Sequence, residues 1–350
     1  MFLIAAALAI EPASPRYEAH CQAPRWSPDG RWLSWEVNDL ERQTIDLYVA
    51  VAGSASPPRR VSVAAGSSSL TAGFSTAAAR AVTHEISFSP PALNRFVYSS
   101  SGSTEDYDLY LDGAGAIAAA PGADGGAAWS PVGQQLAFTS ARSGQGDLYL
   151  LTLGATTPPL KLSGDPAASE LFPAWSPDGK KLAFVGHTRR GDSLYLIDNV
   201  EFPAPRSLLT WTGSQTRPTF SPDGTLLAFY ANREVEERFD LYVVPVDGSA
   251  APRVLATGVV LNPRGPSFTP DGKAIVYVRA DDANFNPVWG VPLDPAGKAW
   301  KIPTGTVGNT DVDVVKRGDG KAWLAVTALG RTGDEVRDFR RVYTMPLDAR

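Results

Sequence analysis

The sequence is poor in the groups from which active sites and metal centres are usually built. Among its 350 residues there is one cysteine, Cys21, and there are three histidines, His20, His84 and His187. A lone cysteine cannot close an internal disulfide, and no Cys/His cluster has zinc-site spacing. Cys21 reads as a free thiol, since Glu18-Ala19-His20 lacks the small residues of a lipoprotein anchor. No histidine pair has i, i+4 spacing or H-E-x-x-H form. No G-x-S-x-G elbow is present, which argues against serine-hydrolase chemistry. Positive charge is also short: 32 Lys and Arg stand against 37 Asp and Glu, with no basic run, for a net charge of -5. Nucleic-acid binding needs a basic footprint to neutralise phosphates and is not expected. Long apolar runs are missing as well. Met1 to Ile10 is apolar but too short to span a bilayer. It fits the apolar core of a signal peptide, with Ala7-Leu8-Ala9 in the A-x-A form of a cleavage site, although no Lys or Arg precedes it. Residues 1–13 are therefore set apart as a signal segment or tail, and 14–350 as one domain outside the cytoplasm, without a transmembrane segment and monomeric.

No stretch reads as a long amphipathic helix. What the chain has in quantity is proline (29), glycine (32) and aromatic residues, the makings of short strands and tight turns. One motif recurs: an aromatic residue, then Ser/Thr-Pro-x-Gly, then a short apolar run. It stands at Trp26-Ser27-Pro28-Asp29-Gly30, Trp129-Ser130-Pro131-Val132-Gly133, Trp175-Ser176-Pro177-Asp178-Gly179, Phe220-Ser221-Pro222-Asp223-Gly224 and Phe268-Thr269-Pro270-Asp271-Gly272. Phe88-Ser89-Pro90 is a degenerate copy, and Asp319-Gly320-Lys321 before Ala322-Trp323-Leu324-Ala325-Val326 a worn one. From Phe88 the aromatic positions are 41, 46, 45 and 48 residues apart, after a first gap of 62. A period near 45 with a turn in each copy is the mark of propeller blades. Pro sets φ for a type I turn, Asp can bond back to the backbone, and Gly accepts the positive φ from which the second strand starts.

A third strand carries Leu-Tyr, as in Asp46-Leu47-Tyr48, Asp108-Leu109-Tyr110, Asp147-Leu148-Tyr149 and Asp240-Leu241-Tyr242. The repeated Asp reads as a turn or cap residue. Fourth strands follow in most units, from Arg59, Pro159, Pro205, Pro252 and Trp300. Strict polar/apolar alternation is missing, as it should be where both faces of a blade are covered. The fold expected is all-β: a propeller of four-stranded antiparallel blades, seven by this count with six as the alternative. The last unit stops after its third strand, so Ser14 to Cys21 is expected to supply its outer strand and close the ring. Ala64 to Thr83 reads as a long Ala/Ser/Gly-rich surface loop.

Pro173-Ala174-Trp175-Ser176-Pro177-Asp178-Gly179-Lys180-Lys181-Leu182-Ala183-Phe184 resembles the repeat of the TolB propeller family, P-x-W-S-P-D-G-x-x-I/L-A-F followed by an I/L-Y strand. The resemblance covers roughly residue 20 to the end. It implies a propeller and a protein-binding role in the periplasm, as in the Tol–Pal system. The family pattern has six blades behind a small α/β domain; this chain shows seven units and enters its first within about 25 residues. Similar repeats serve as non-catalytic domains of prolyl-oligopeptidase-like and tricorn-like peptidases and as the body of oligogalacturonate lyases.

Propellers work through one rim, formed by the loops entering the inner strands and those joining the second and third strands. His84, Glu85, Phe172, Arg217, Arg264, Asp311 and Asp313 stand there, with Arg142, Arg189, Arg190 and Arg233 in neighbouring loops. Mixed charge with Arg and aromatic residues fits recognition of a protein or peptide, and a non-enzymatic binding scaffold is the leading reading. The alternative is a metal-dependent lyase or hydrolase on a polar polymer such as a glycan, which needs His20, His84 and His187, or Asp311 and Asp313, to converge. No cofactor is expected. Calcium is the one ion to consider, but neither Asp281-Asp282 nor Asp311 with Asp313 forms a calcium loop.

Overall fold

The computed structural model describes residues 11–14, 19–61, 83–101, 106–118, 120–164, 168–209, 211–233, 237–281, 283, 285–331 and 339–347. The apolar Met1 to Ile10 segment, the Ala64 to Thr83 loop up to residue 82, and Asp282 lie outside them. The strands form seven four-stranded antiparallel sheets. Blade 1 runs His20–Trp26, Trp32–Asp39, Thr44–Val51 and Arg59–Val61, from inner to outer strand. Blades 2 to 6 repeat the order, starting with the inner strands Thr83–Phe88, Asp124–Trp129, Ser169–Trp175, Gln215–Phe220 and Ser267–Phe268. Blade 7 has Val312–Lys316 inside, then Ala322–Ala328 and Arg341–Leu347. A two-stranded extension pairs Thr306–Val307 with Gly330–Arg331.

The Ser-Pro-Asp-Gly segment forms the expected turn with an added side-chain clamp. In blade 4 the Gly179 N–H donates to Ser176 O at 2.9 Å, and Gly179 has φ +69°. Ser176 Oγ donates to Asp178 Oδ1 at 2.5 Å and accepts from the Lys181 N–H at 2.9 Å, while Asp178 Oδ1 accepts from the Lys180 N–H. The clamp recurs at Ser27, Ser221 and Thr269. These hydrogen bonds hold the carboxyls of Asp178 and Asp223 below the ordinary aspartate range. The turns also pack on one another: a Cβ on Gly224 would touch Pro177, and one on Gly272 would touch Pro222, each in the preceding blade.

Burial on both faces accounts for the missing alternation. Seven apolar clusters each fill one seam between neighbouring blades, including the seam from blade 7 to blade 1. In the second strand of blade 3, Leu136 and Phe138 pack toward blade 2 and Ala137 toward blade 4. Each fully buried large side chain contributes roughly 1.5–3 kcal/mol, so the seams carry the stability of the ring.

The ring is closed by the N-terminus, with a shift from the expected segment. Glu11–Pro12 pairs antiparallel with Tyr343 and Thr344 as the outer strand of blade 7. Ala13 continues the contact, its N–H donating to Val342 O. Cys21 instead lies inside the first inner strand, fully buried, and burial pushes its thiol up to about 11. The Asp before Leu-Tyr also differs from the expected turn or cap. In three of the four units it ties the third strand toward the outer one: Asp46 to Arg60 at 2.6 Å, Asp147 to Lys161 at 2.7 Å, and Asp240 to the Gly258 N–H at 2.8 Å.

Candidate functional site

The inner strands are bulged at one fixed place. Three residues before the aromatic position, Ala23, Glu85, Gly126, Phe172, Arg217 and Gly265 have φ of 49°, 58°, 60°, 56°, 57° and 92°. The ladder slips there, as between His84 and Ser87 or between Thr216 and Thr219. A left-handed residue that is not glycine costs of order 1–3 kcal/mol and persists only where its surroundings enforce it. Part of that enforcement is a carboxylate from the preceding blade accepting the freed N–H. Asp311 Oδ2 accepts from Ala23 N at 3.0 Å, Glu36 Oε1 from Glu85 N at 3.0 Å, and Glu85 Oε2 from Gly126 N at 2.7 Å. At the aromatic position itself a similar tie to the preceding blade recurs: Asp313 Oδ2 accepts from Trp26 N at 2.7 Å and Ser87 Oγ from Trp129 N at 2.9 Å. Asp311 and Asp313 thus join blade 7 to blade 1. Burial raises both carboxyls above the ordinary range, against those hydrogen bonds.

Five charged or aromatic side chains meet in the channel. Glu36 Oε1 pairs with Arg264 at 3.0 Å, spanning blades 1 and 6 across blade 7, and Glu36 Oε2 accepts from Gln22 Nε2 at 3.1 Å. The guanidinium carbon of Arg217 stands 3.6 Å from the centre of the Phe172 ring, and Arg217 NH1 donates to Pro263 O at 2.6 Å. Arg217 has no ion-pair partner among the described residues. Desolvation lowers its pKa to about 10, with Glu85, Arg264 and Glu36 contributing to its field. Below this cluster the channel opens into a cavity of about 530 Å³, bounded by Arg264, Arg25 and Asp313 and by turn prolines such as Pro28, Pro131 and Pro177.

Glu85, Phe172, Arg217 and Arg264 are therefore brought together as the sequence suggested, and Glu36 is the member that reasoning missed. His84 sits beside them, Nδ1 3.8 Å from Glu85 Oε1 and edge-on to Tyr107. The other histidines do not join it. His20 accepts from the Arg340 N–H and packs on Phe339, whereas His187 is exposed and paired with Asp192 at 2.6 Å. Among the described residues, no three His, Cys, Asp or Glu side chains are placed to hold a metal ion. Of the neighbouring arginines, Arg142 is bound to the buried Asp124 at 3.1 Å and Arg233 lies over Trp211; Arg189 and Arg190 are exposed. Among the described residues no helix is long and apolar enough to cross a membrane.

Residues 156–291, from the outer edge of blade 3 through the third strand of blade 6, match the family model described as the TolB beta propeller domain. No curated protein matches the chain. Among solved structures it is similar to the β-propeller domain of Cps50 (Swd1) from Myceliophteria thermophila, at 12% identity and TM-score 0.57, covering 97% of this chain and 100% of that one. The β-propeller domain of the Trilobed protease from Pyrococcus furiosus aligns at 11% identity and TM-score 0.54, over 82% and 84%. TolB from Acinetobacter baumannii aligns at 14% identity and TM-score 0.46, over 93% and 78%. Such identities speak for the fold alone. With its seven four-stranded blades the chain is a β-propeller, and through its W-S-P-D-G repeat and the blades matched over 156–291 it is similar to the TolB propeller.

Proposed function

We propose that this propeller is a non-enzymatic scaffold that recognises a protein or peptide segment at the channel mouth, outside the cytoplasm. The observation that carries the reading is Arg217, stacked on Phe172 and largely desolvated, with a backbone carbonyl as acceptor and, among the described residues, no carboxylate within ion-pair distance. A guanidinium held this way keeps donors for an incoming carboxylate or peptide carbonyl, and its planar fork is pre-organised for that contact. Phe172 supplies a flat apolar surface beside it, and Arg–aromatic anchors of this kind dominate interface energetics. Glu36 and Glu85 restrict the charge pattern a partner can present. The apolar Met1 to Ile10 segment with Ala7-Leu8-Ala9 supports export.

Panning a displayed peptide library on the wild-type protein and on Arg217→Ala tests the reading. Enriched peptides should carry an acidic or carboxylate-bearing anchor and bind the variant at least about tenfold more weakly, the loss of one such anchor. Enrichment that ignores Arg217 would overturn it.

A further inference from the structure

The lower edge of the seam between blades 6 and 7 is built differently from its neighbours. In blades 4 and 5 the outer strands carry Arg206 and Arg253, whose guanidinium groups donate to Val246 O and Leu293 O of the next blade. These arginines pair in register with Leu196 and Val243. At the same register blade 6 has Trp300 opposite Gly290. The exchange of bulk is obligatory: a Cβ on Gly290 would lie 2.3 Å from Trp300 Cζ2, so the indole can lie across the third strand only because residue 290 is glycine. With the tethering arginine gone, a cavity of about 260 Å³ remains between the blades, lined by Trp300, Leu347, Ala274 and Ala322 and edged by Lys273 and Lys316. Neither lysine has an ion-pair partner among the described residues. Asp271 also reaches the edge, but its Oδ1 is taken by Thr269 Oγ1 and the Lys273 N–H.

We infer that this cavity binds a small aromatic carboxylate, the ring lying against the Trp300 indole and the carboxylate meeting the Lys273 and Lys316 ammonium groups. The volume suits one or two fused rings. A half-buried indole gives a stacking surface, and the two ammonium groups outweigh the single Asp271 carboxylate at the rim, leaving it net positive. The site is separate from the channel and independent of Arg217.

Isothermal titration of the full chain with 2-naphthoate, and with neutral 2-naphthalenemethanol as control, tests the inference. The expected result is saturable one-to-one binding of the carboxylate with a Kd below about 1 mM, weakened at least tenfold in the Lys273→Gln/Lys316→Gln variant and weakened by added salt. Gly290→Val, which displaces the indole, should abolish it, with the melting transition of each variant confirming a folded ring. Arg217→Ala should bind like wild type. Absence of saturable binding to the wild-type protein, equal binding by the lysine variant, or loss in Arg217→Ala would each overturn the inference.

Discussion

At the scale of single residues, Glu36 shows how a channel is organised by a side chain the repeat does not announce. The same register in the other six blades holds Ser99, Thr139, Val185, Tyr230, Val278 and Thr327, and only blade 1 places a carboxylate there. It serves three donors: Arg264, Gln22 and the strained Glu85 N–H. Removing it strands a guanidinium whose side chain is only 15% exposed. Glu36→Ala is expected to cost about 3–5 kcal/mol, the usual penalty for orphaning one partner of a buried pair. Glu36→Gln keeps an acceptor and should cost clearly less. Urea unfolding of the two variants makes the comparison, and equal costs would show that the carboxylate does not organise the site. Glu36 escaped the sequence because Arg264 is 228 residues away and only ring closure brings them together. Glu85, Phe172 and Arg217 were legible because each stands three residues before an aromatic repeat position, and Arg264 because it stands one place earlier, four before Phe268.

At the scale of the blade, the turn is the best-read element, and its parts can be separated experimentally. Gly30 and Gly320 have similar positive φ, 66° and 78°. A Cβ on Gly30 would lie 2.6 Å from Arg317 Cγ and 3.2 Å from its Cα, whereas one on Gly320 meets nothing within 4 Å. Gly320→Ala should cost about 1–2 kcal/mol for the left-handed backbone alone. Gly30→Ala adds overpacking in the seam between blades 7 and 1, about 1–3 kcal/mol more. Thermal unfolding distinguishes them, and equal losses would mean that the turns do not interlock.

The turn aspartates also set an acid limit. The carboxyls of Asp178 and Asp223 titrate below their ordinary value of 3.8 in the folded chain. Their stabilisation is present above that value and is lost as the pH falls through the lowered folded pKa. Asp178→Asn/Asp223→Asn should therefore flatten the fall in stability below about pH 4. An unchanged acid limb would place its origin elsewhere. The Asp of Asp-Leu-Tyr was read less well: recurrence shows that a residue belongs to the blade, but its bond to the outer strand depends on a partner 14 or 18 positions away.

At the scale of the whole molecule, stability depends on joining the two ends of the chain. The blade count and the need for a closing strand could be read from a last unit that stops after its third strand. The closing segment itself was placed a few residues late, because Glu11–Pro12 has no strand-like pattern and is fixed only by the free edge of Arg341–Leu347. Ser14 strengthens the join: its carbonyl accepts from Arg341 NH2, and its hydroxyl accepts from the Val342 N–H at 3.1 Å. This arrangement constrains any processing at Ala7-Leu8-Ala9, since a cut after Ala9 would leave Glu11–Pro12 in place. A chain beginning at Ile10 should melt like the full chain. One beginning at Ala19 exposes the edge of the last blade and loses these bonds, which also removes the cover from a row of unpaired backbone groups. Its melting temperature should drop by several degrees, with the first protease cuts falling in Arg341–Leu347. If the two chains melt together and resist protease equally, the N-terminal strand is not what closes the ring.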